Sequence, residues 1–189
     1  MRSLRSLLLP CLVLAAACGD PFPLPKAQNE NVVDTLQSLY AIHGTPPRTP
    51  SAYWLGNYVA PERPVLVQDP GGTFDFAMDL DSAYRPMLLP TGALRLGRSS
   101  GIQTTTLPFD SILIAPSGGY QLDSAVTVDV GGRAIVHSRD IRCDTQLPAV
   151  YYAKLEILAV DSASRRIDFK ILVDRNCGYR GLEEGVPRR

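Results

Sequence analysis

Three groups of residues in this 189-residue chain have the types and spacing for chemistry. The first is Gly97-Arg98-Ser99-Ser100-Gly101, a G-x-S-x-G pattern that would make Ser99 a nucleophile. Asp110, Asp123 or Asp129 and then His137 follow it, which is one order a serine–acid–histidine triad can take. The second group is the four cysteines, Cys11, Cys18, Cys143 and Cys177, open to acylation, pairing or metal binding. The third is Asp75, Asp79 and Asp81, with Asp69 nearby, whose oxygens could serve Ca²⁺.

Each chemistry depends on elements that would position it. A nucleophile elbow needs a strand, a strained turn and then a helix above a mostly parallel sheet. After Gly101 comes Ile102-Gln103-Thr104-Thr105-Thr106-Leu107-Pro108, whose β-branched run and proline oppose a helix. Ser99 therefore reads as part of a Gly/Ser turn, and a secreted hydrolase using Ser99 and His137 is the last of three functional readings. The Gly131-Gly132 pair predicts a two-residue hairpin that sets His137 opposite Val126 as a packed or rim histidine. The aspartates alternate with Phe74, Phe76, Met78 and Leu80, so they read as the solvated face of a half-buried strand, fanned out too far for a metal. Cys143 and Cys177, with only His43 and His137 to help, match no zinc spacing. No glycine-rich phosphate loop opens a helix, so no cofactor is expected.

The N-terminus carries the most specific signal. Arg2 and Arg5 form a basic region, Leu7 to Val13 an apolar stretch of signal-peptide length, and Ala15-Ala16-Ala17 a small-residue cleavage site. The run Leu14-Ala15-Ala16-Ala17-Cys18 resembles the lipobox of bacterial lipoproteins, although Ala15 stands where that family usually has leucine. The resemblance covers this segment alone. It implies that Cys18 is acylated, that the membrane partner is lipid, and that the protein sits in the bacterial cell envelope outside the cytoplasm. Cleavage by an ordinary signal peptidase would instead give a secreted protein. With residues 1–17 removed, seventeen basic residues face nineteen acidic ones, a balance that favours no nucleic acid. In an oxidising compartment the remaining pair, Cys143 and Cys177, reads as a disulfide worth about 3–4 kcal/mol in the chain-entropy model.

Residues 18–28 alternate proline with other residues and read as a tether, 29–182 as a single β-rich domain, and 183–189 as a loose tail. Val32, Val33, Leu36, Leu39, Tyr40 and Ile42 fall at helical spacing between Asn29 or Asn31 and Gly44, predicting one amphipathic helix over 30–43. Met87 to Leu89 and Ala93 to Leu96 predict a hairpin around Pro90-Thr91-Gly92. Ser111 to Ile114 and Tyr120 to Leu122 predict short strands. The clearest hairpin is Val150–Val160 with Ile167–Val173, pairing Val160 with Ile167 and bringing Cys143 and Cys177 to one end. These elements add up to a mostly β protein, an antiparallel sandwich or barrel with one N-terminal helix.

The first functional reading is a membrane-anchored envelope lipoprotein with a non-catalytic binding or structural role. The second is a small-ligand carrier with a lipocalin-like barrel. Tyr53, Trp54, Tyr58, Tyr179 and Arg180 are the expected binding surface.

Overall fold

A computed structural model describes residues 26–56, 64–65, 67, 73–142 and 148–188. The chain is mostly β. The strands are β1 (Val33–Tyr40), β2 (Ala52–Tyr53), β3 (Pro64–Val65), β4 (Phe76–Leu80), β5 (Pro86–Pro90), β6 (Gly101–Thr105), β7 (Val126–Thr127), β8 (Arg133–His137), β9 (Ile141–Arg142), β10 (Pro148–Ala149), β11 (Tyr152–Asp161) and β12 (Arg166–Asp174). Two short 3₁₀ turns lie at Thr91–Leu94 and Phe109–Ser111. One antiparallel sheet runs β1-β12-β11-β8-β6 and the other β3-β2-β4-β5-β7, with β9 and β10 as a separate pair. Among the described residues neither five-stranded order closes on itself into the lipocalin-like barrel.

Alternation in β11 as far as Ile157, where a bulge follows, and in β12 builds the centre. Ala153, Leu155, Ile157, Ile167, Phe169, Ile171 and Val173 face the second sheet, where Tyr53, Phe76, Met78, Leu80 and Leu88 complete one shared core. Tyr53 stacks on Phe76 at 5.5 Å between ring centroids, and Phe169 meets Tyr53 edge-on at 5.8 Å. Val160 pairs with Ile167, the register expected from the sequence. The reverse face of β8, β11 and β12 is also covered. There Ile135 and Leu172 pack with Phe109, Ile112, Ala115 and Leu182 in a second cluster.

Several sequence expectations are corrected. The segment predicted as a helix over 30–43 holds strand β1, which pairs with β12 from Val33↔Leu172 to Tyr40↔Arg166 around a bulge between Asp34 and Gln37. The bulge changes which side chains face inward, so apolar residues at helical spacing satisfy an irregular strand: Leu39 is buried while Leu36 is exposed. A long unpaired β12 edge outweighs the weak local preference. The Gly131-Gly132 hairpin does not form, because β7 pairs with β5 in the other sheet and β8 with β11 and β6. The glycines instead carry the chain between sheets, and His137 lies opposite Gly101 and Tyr152, not Val126. After β5 the chain makes a 3₁₀ turn where Ala93 to Leu96 were expected as a strand. Ile114 and Gln121 form single bridges in place of the predicted short strands.

The aspartate face is not solvated. Asp75 and Asp79 are buried, because β4 is central and its reverse face is covered by Phe74, Ala52 and Ala77 with Ile42, Leu89 and Leu94. Asp79 receives His43 Nδ1 at 2.5 Å and approaches Arg165 at 3.6 Å, tying β4 to the β11–β12 turn. Asp81 alone stays at the surface, capping the following turn at Ala83 and Arg85.

Both ends of the described chain are fastened. Asn176 accepts the backbone N–H groups of Gln28 and Asn29 on one oxygen, at 2.9 Å each, and donates to the Asn29 carbonyl. Gly185, in the tail expected to be loose, exchanges two backbone bonds with Asn31. Tyr179 accepts the Ala27 N–H at its hydroxyl.

Candidate functional site

Among the described residues, a groove of about 310 Å³ lies beside β6, open to solvent. Gln103, Thr104 and Thr105 form one bank, Ile112 to Ile114 the other, and Ile135 part of the floor. All of its lining residues are uncharged. Leu107, Leu113 and Ile114 each remain about half exposed, at 51%, 52% and 51%, a local concentration of apolar surface.

The groove owes its wall to a buried lysine. Lys154 lies on the reverse face of β11, where a straight alternating strand must place a side chain between Phe109 and the sheet. Its ammonium donates to the carbonyls of Phe109 at 2.9 Å and Ile112 at 3.1 Å, and stands 4.5 Å from the centre of the Phe109 ring. Lys170 approaches the same ring and pairs with Glu156 at 2.8 Å. Burial lowers the affinity of Lys154 for its proton, opposed by the charges of Asp110 and Glu184. Replacing Lys154 with methionine keeps the stem and removes these donors. Amide hydrogen exchange across 109–115 is expected to accelerate by about tenfold or more, the consequence of losing roughly 1–2 kcal/mol of local anchoring. Unchanged exchange there would show that Phe109 and Ile112 hold the wall without the lysine.

Beyond Gln103 lies a ring cluster. His137 meets Tyr120 edge-on at 4.7 Å, and Tyr152 at 6.4 Å. Desolvation lowers the basicity of His137, and burial raises both phenols, against the pull of the Arg180 charge. His137 Nδ1 bonds the carbonyl of Ser138 at 2.9 Å and Tyr120 donates to Pro116 at 2.9 Å. Gly101 faces this cluster, and a Cβ placed there would overlap Nε2 of His137. The last glycine of the G-x-S-x-G pattern thus makes room for a ring.

No family model, curated protein or solved structure matches the chain.

The residues singled out in the sequence bond to different partners. Ser99 Oγ lies 3.3 Å from Thr91 Oγ1, and no hydrogen bond joins Ser99 to His137. Its neighbour Ser100 is buried and accepts the Thr91 N–H, closing the turn. Among the expected binding aromatics, Tyr53 belongs to the core and offers no surface. Trp54 is half-buried, and Tyr58 lies outside the described residues. Tyr179 and Arg180 sit on the segment that folds back toward Leu182, which is fully buried, and the Arg180 carbonyl accepts the Ala115 N–H. Cys18 and Cys143 lie outside the described residues, whereas Cys177 is disulfide-bonded and packs against the core. Among the described residues no cluster of three or more histidine, cysteine or acidic side chains is placed to hold a metal.

Sequence reasoning missed the groove. Ile112-Leu113-Ile114 reads locally as a strand, and only its lack of a continuous partner leaves the Leu113 and Ile114 side chains at the surface. The faint signal was Lys154 at an alternating position within an apolar run.

Proposed function

We propose that this chain is an exported, lipid-anchored protein of the bacterial cell envelope, in which a sandwich-like β domain binds a partner without catalysis, at the groove beside β6. The uncharged, half-exposed apolar lining of that groove carries the reading, because a protein displays such a surface at a cost that binding repays. The basic, apolar and small-residue order of residues 1–17 and the cysteine at position 18 support export and acylation. The engagement of Ser99 and His137 with different partners weighs against the hydrolase reading. The fastening of residues 27–29 to Asn176 and Tyr179 supports a tether leaving from the open end of the β11–β12 hairpin.

Cys143 is the proposed partner of Cys177. Pairing of Tyr152 with Asp174 supports this, since it brings the chain entering β11 and the chain leaving β12 to the same end. The intact mass of the mature protein, purified from a bacterial host without reduction and after alkylation, tests both assignments at once. The expected mass is that of residues 18–189 with acyl groups on Cys18 and no alkylation elsewhere. An unmodified Cys18 would refute the anchor, and alkylation at Cys143 and Cys177 would refute the pairing.

A further inference from the structure

We propose that the groove receives an extended, apolar peptide segment as a strand added to the edge of β6 and registered on Thr104. The proposal rests on reading this groove as the binding site and names the class of partner.

β6 is an edge strand, and the fold already adds chain to it at one position. Ile102 donates to the Gln121 carbonyl at 3.0 Å and accepts the Gln121 N–H at 2.8 Å. This two-bond exchange faces away from β8, so the ladder alternation turns the N–H and C=O of Gly101, Gln103 and Thr105 toward β8 and those of Thr104 outward. Residue 119 would be the next partner on that side. Gly119 has φ of 89°, in the left-handed region that favours glycine, and the chain turns away there. The outward backbone groups of Thr104 consequently have no hydrogen-bond partner among the described residues. Beside them, the buried Oε1 of Gln103 also lacks one. Unpaired backbone on a sheet edge is a template for another strand.

The apolar walls fit the same occupant. Thr104 shares the inward face of β6 with Ile102, so a residue opposite Thr104 points that way, while its two neighbours point to the other face. That is where Leu107, Ile112, Leu113, Ile114 and Ile135 lie. The segment therefore has uncharged apolar residues two positions apart, flanking the one that pairs. A loose acyl chain would fill the apolar volume and leave the Thr104 groups unpaired, which is why a peptide backbone fits better.

The test uses the full mature chain, with Cys18→Ser for solubility, panned against a random linear twelve-residue peptide library. The selected peptide is then synthesised, and its binding is followed by calorimetry and by the amide resonance of Thr104. Apolar residues two apart are expected. Methylating the single peptide nitrogen that faces Thr104 is expected to weaken binding by about tenfold, as is Leu113→Asp on the exposed wall. Peptides that tolerate methylation at every position yet fail with Leu113→Asp would overturn strand addition while leaving the groove as the site. Binding unaffected by Leu113→Asp would overturn the groove reading itself. Enrichment of no peptide would overturn the proposal, as would a dimer of this chain that Thr104→Pro dissociates, since the occupant of the edge would then be a second copy.

Discussion

Asp75→Ala is expected to destabilise the protein by about 3–5 kcal/mol, the range for breaking a buried, hydrogen-bonded charge cluster. Asp75 is 1% exposed. One carboxylate oxygen accepts the Leu55 N–H at 2.7 Å, and the other accepts the Arg139 N–H at 2.9 Å with the Arg139 guanidinium at 3.7 Å. It thereby fastens the loop after β2 and the loop after β8 to the start of β4. Alanine leaves buried donors unsatisfied, each costing about 1–3 kcal/mol. Burial raises the carboxyl pKa above its ordinary value of 3.8, and the two backbone donors and Arg139 offset part of that rise. Urea unfolding of Asp75→Ala beside Asp81→Ala is the measurement, with Asp81, the turn-capping carboxylate just after β4, as the comparison. A loss below about 1 kcal/mol at Asp75 would show that its donors find other acceptors.

Asp174→Asn is expected to act in the opposite direction, raising stability at pH 7.5 by about 2–3 kcal/mol. Asp174 is fully buried at the end of β12. Its Oδ1 accepts both the backbone and side-chain N–H groups of Asn176 at 2.8 Å, while Oδ2 has no partner. Desolvation pushes its pKa up to about 6 from 3.8, ahead of the opposing bonds from Asn176. The folded state therefore holds this proton more tightly than the unfolded state. The associated stability is fully present below about pH 4 and is lost as pH rises through about 6, at roughly 1.4 kcal/mol per pH unit between those values. Asparagine keeps the acceptor and removes the charge. The gain should appear at pH 7.5 and vanish near pH 4, read from urea unfolding at both. An equal gain at both pH values would place the effect in packing.

Much of the fold was legible because side-chain alternation is a local property. The β11–β12 hairpin, its Val160–Ile167 register and the predominance of antiparallel strands follow from runs such as Ala153-Lys154-Leu155-Glu156-Ile157. Misreadings occurred wherever a partner distant in sequence chose between local alternatives. Val33 to Tyr40 carries apolar residues at helical spacing, but the free edge of β12 captures it as a bulged strand. Val126 to His137 looks like a hairpin across two glycines, yet its halves pair with β5 and with β11 and β6. Asp75 and Asp79 occupy the polar phase of an alternating strand, and burial followed from a second layer over β4 that no local pattern announces.

The sequence alone determined the antiparallel β character of the chain, because alternation is written within a few neighbouring residues, and the proposed leader ending at Cys18 rests on the same kind of local reading. The tertiary structure decided which sheet each strand joined, gave Ser99 and His137 different hydrogen-bond partners and placed Tyr53 in the core. It also opened the groove at Thr104, where the Gly119 turn ends the chain's own cover of β6 and Lys154 holds the opposite wall. These outcomes depend on contacts between segments far apart in the chain, whose geometry exists only once both sheets have closed over their shared core.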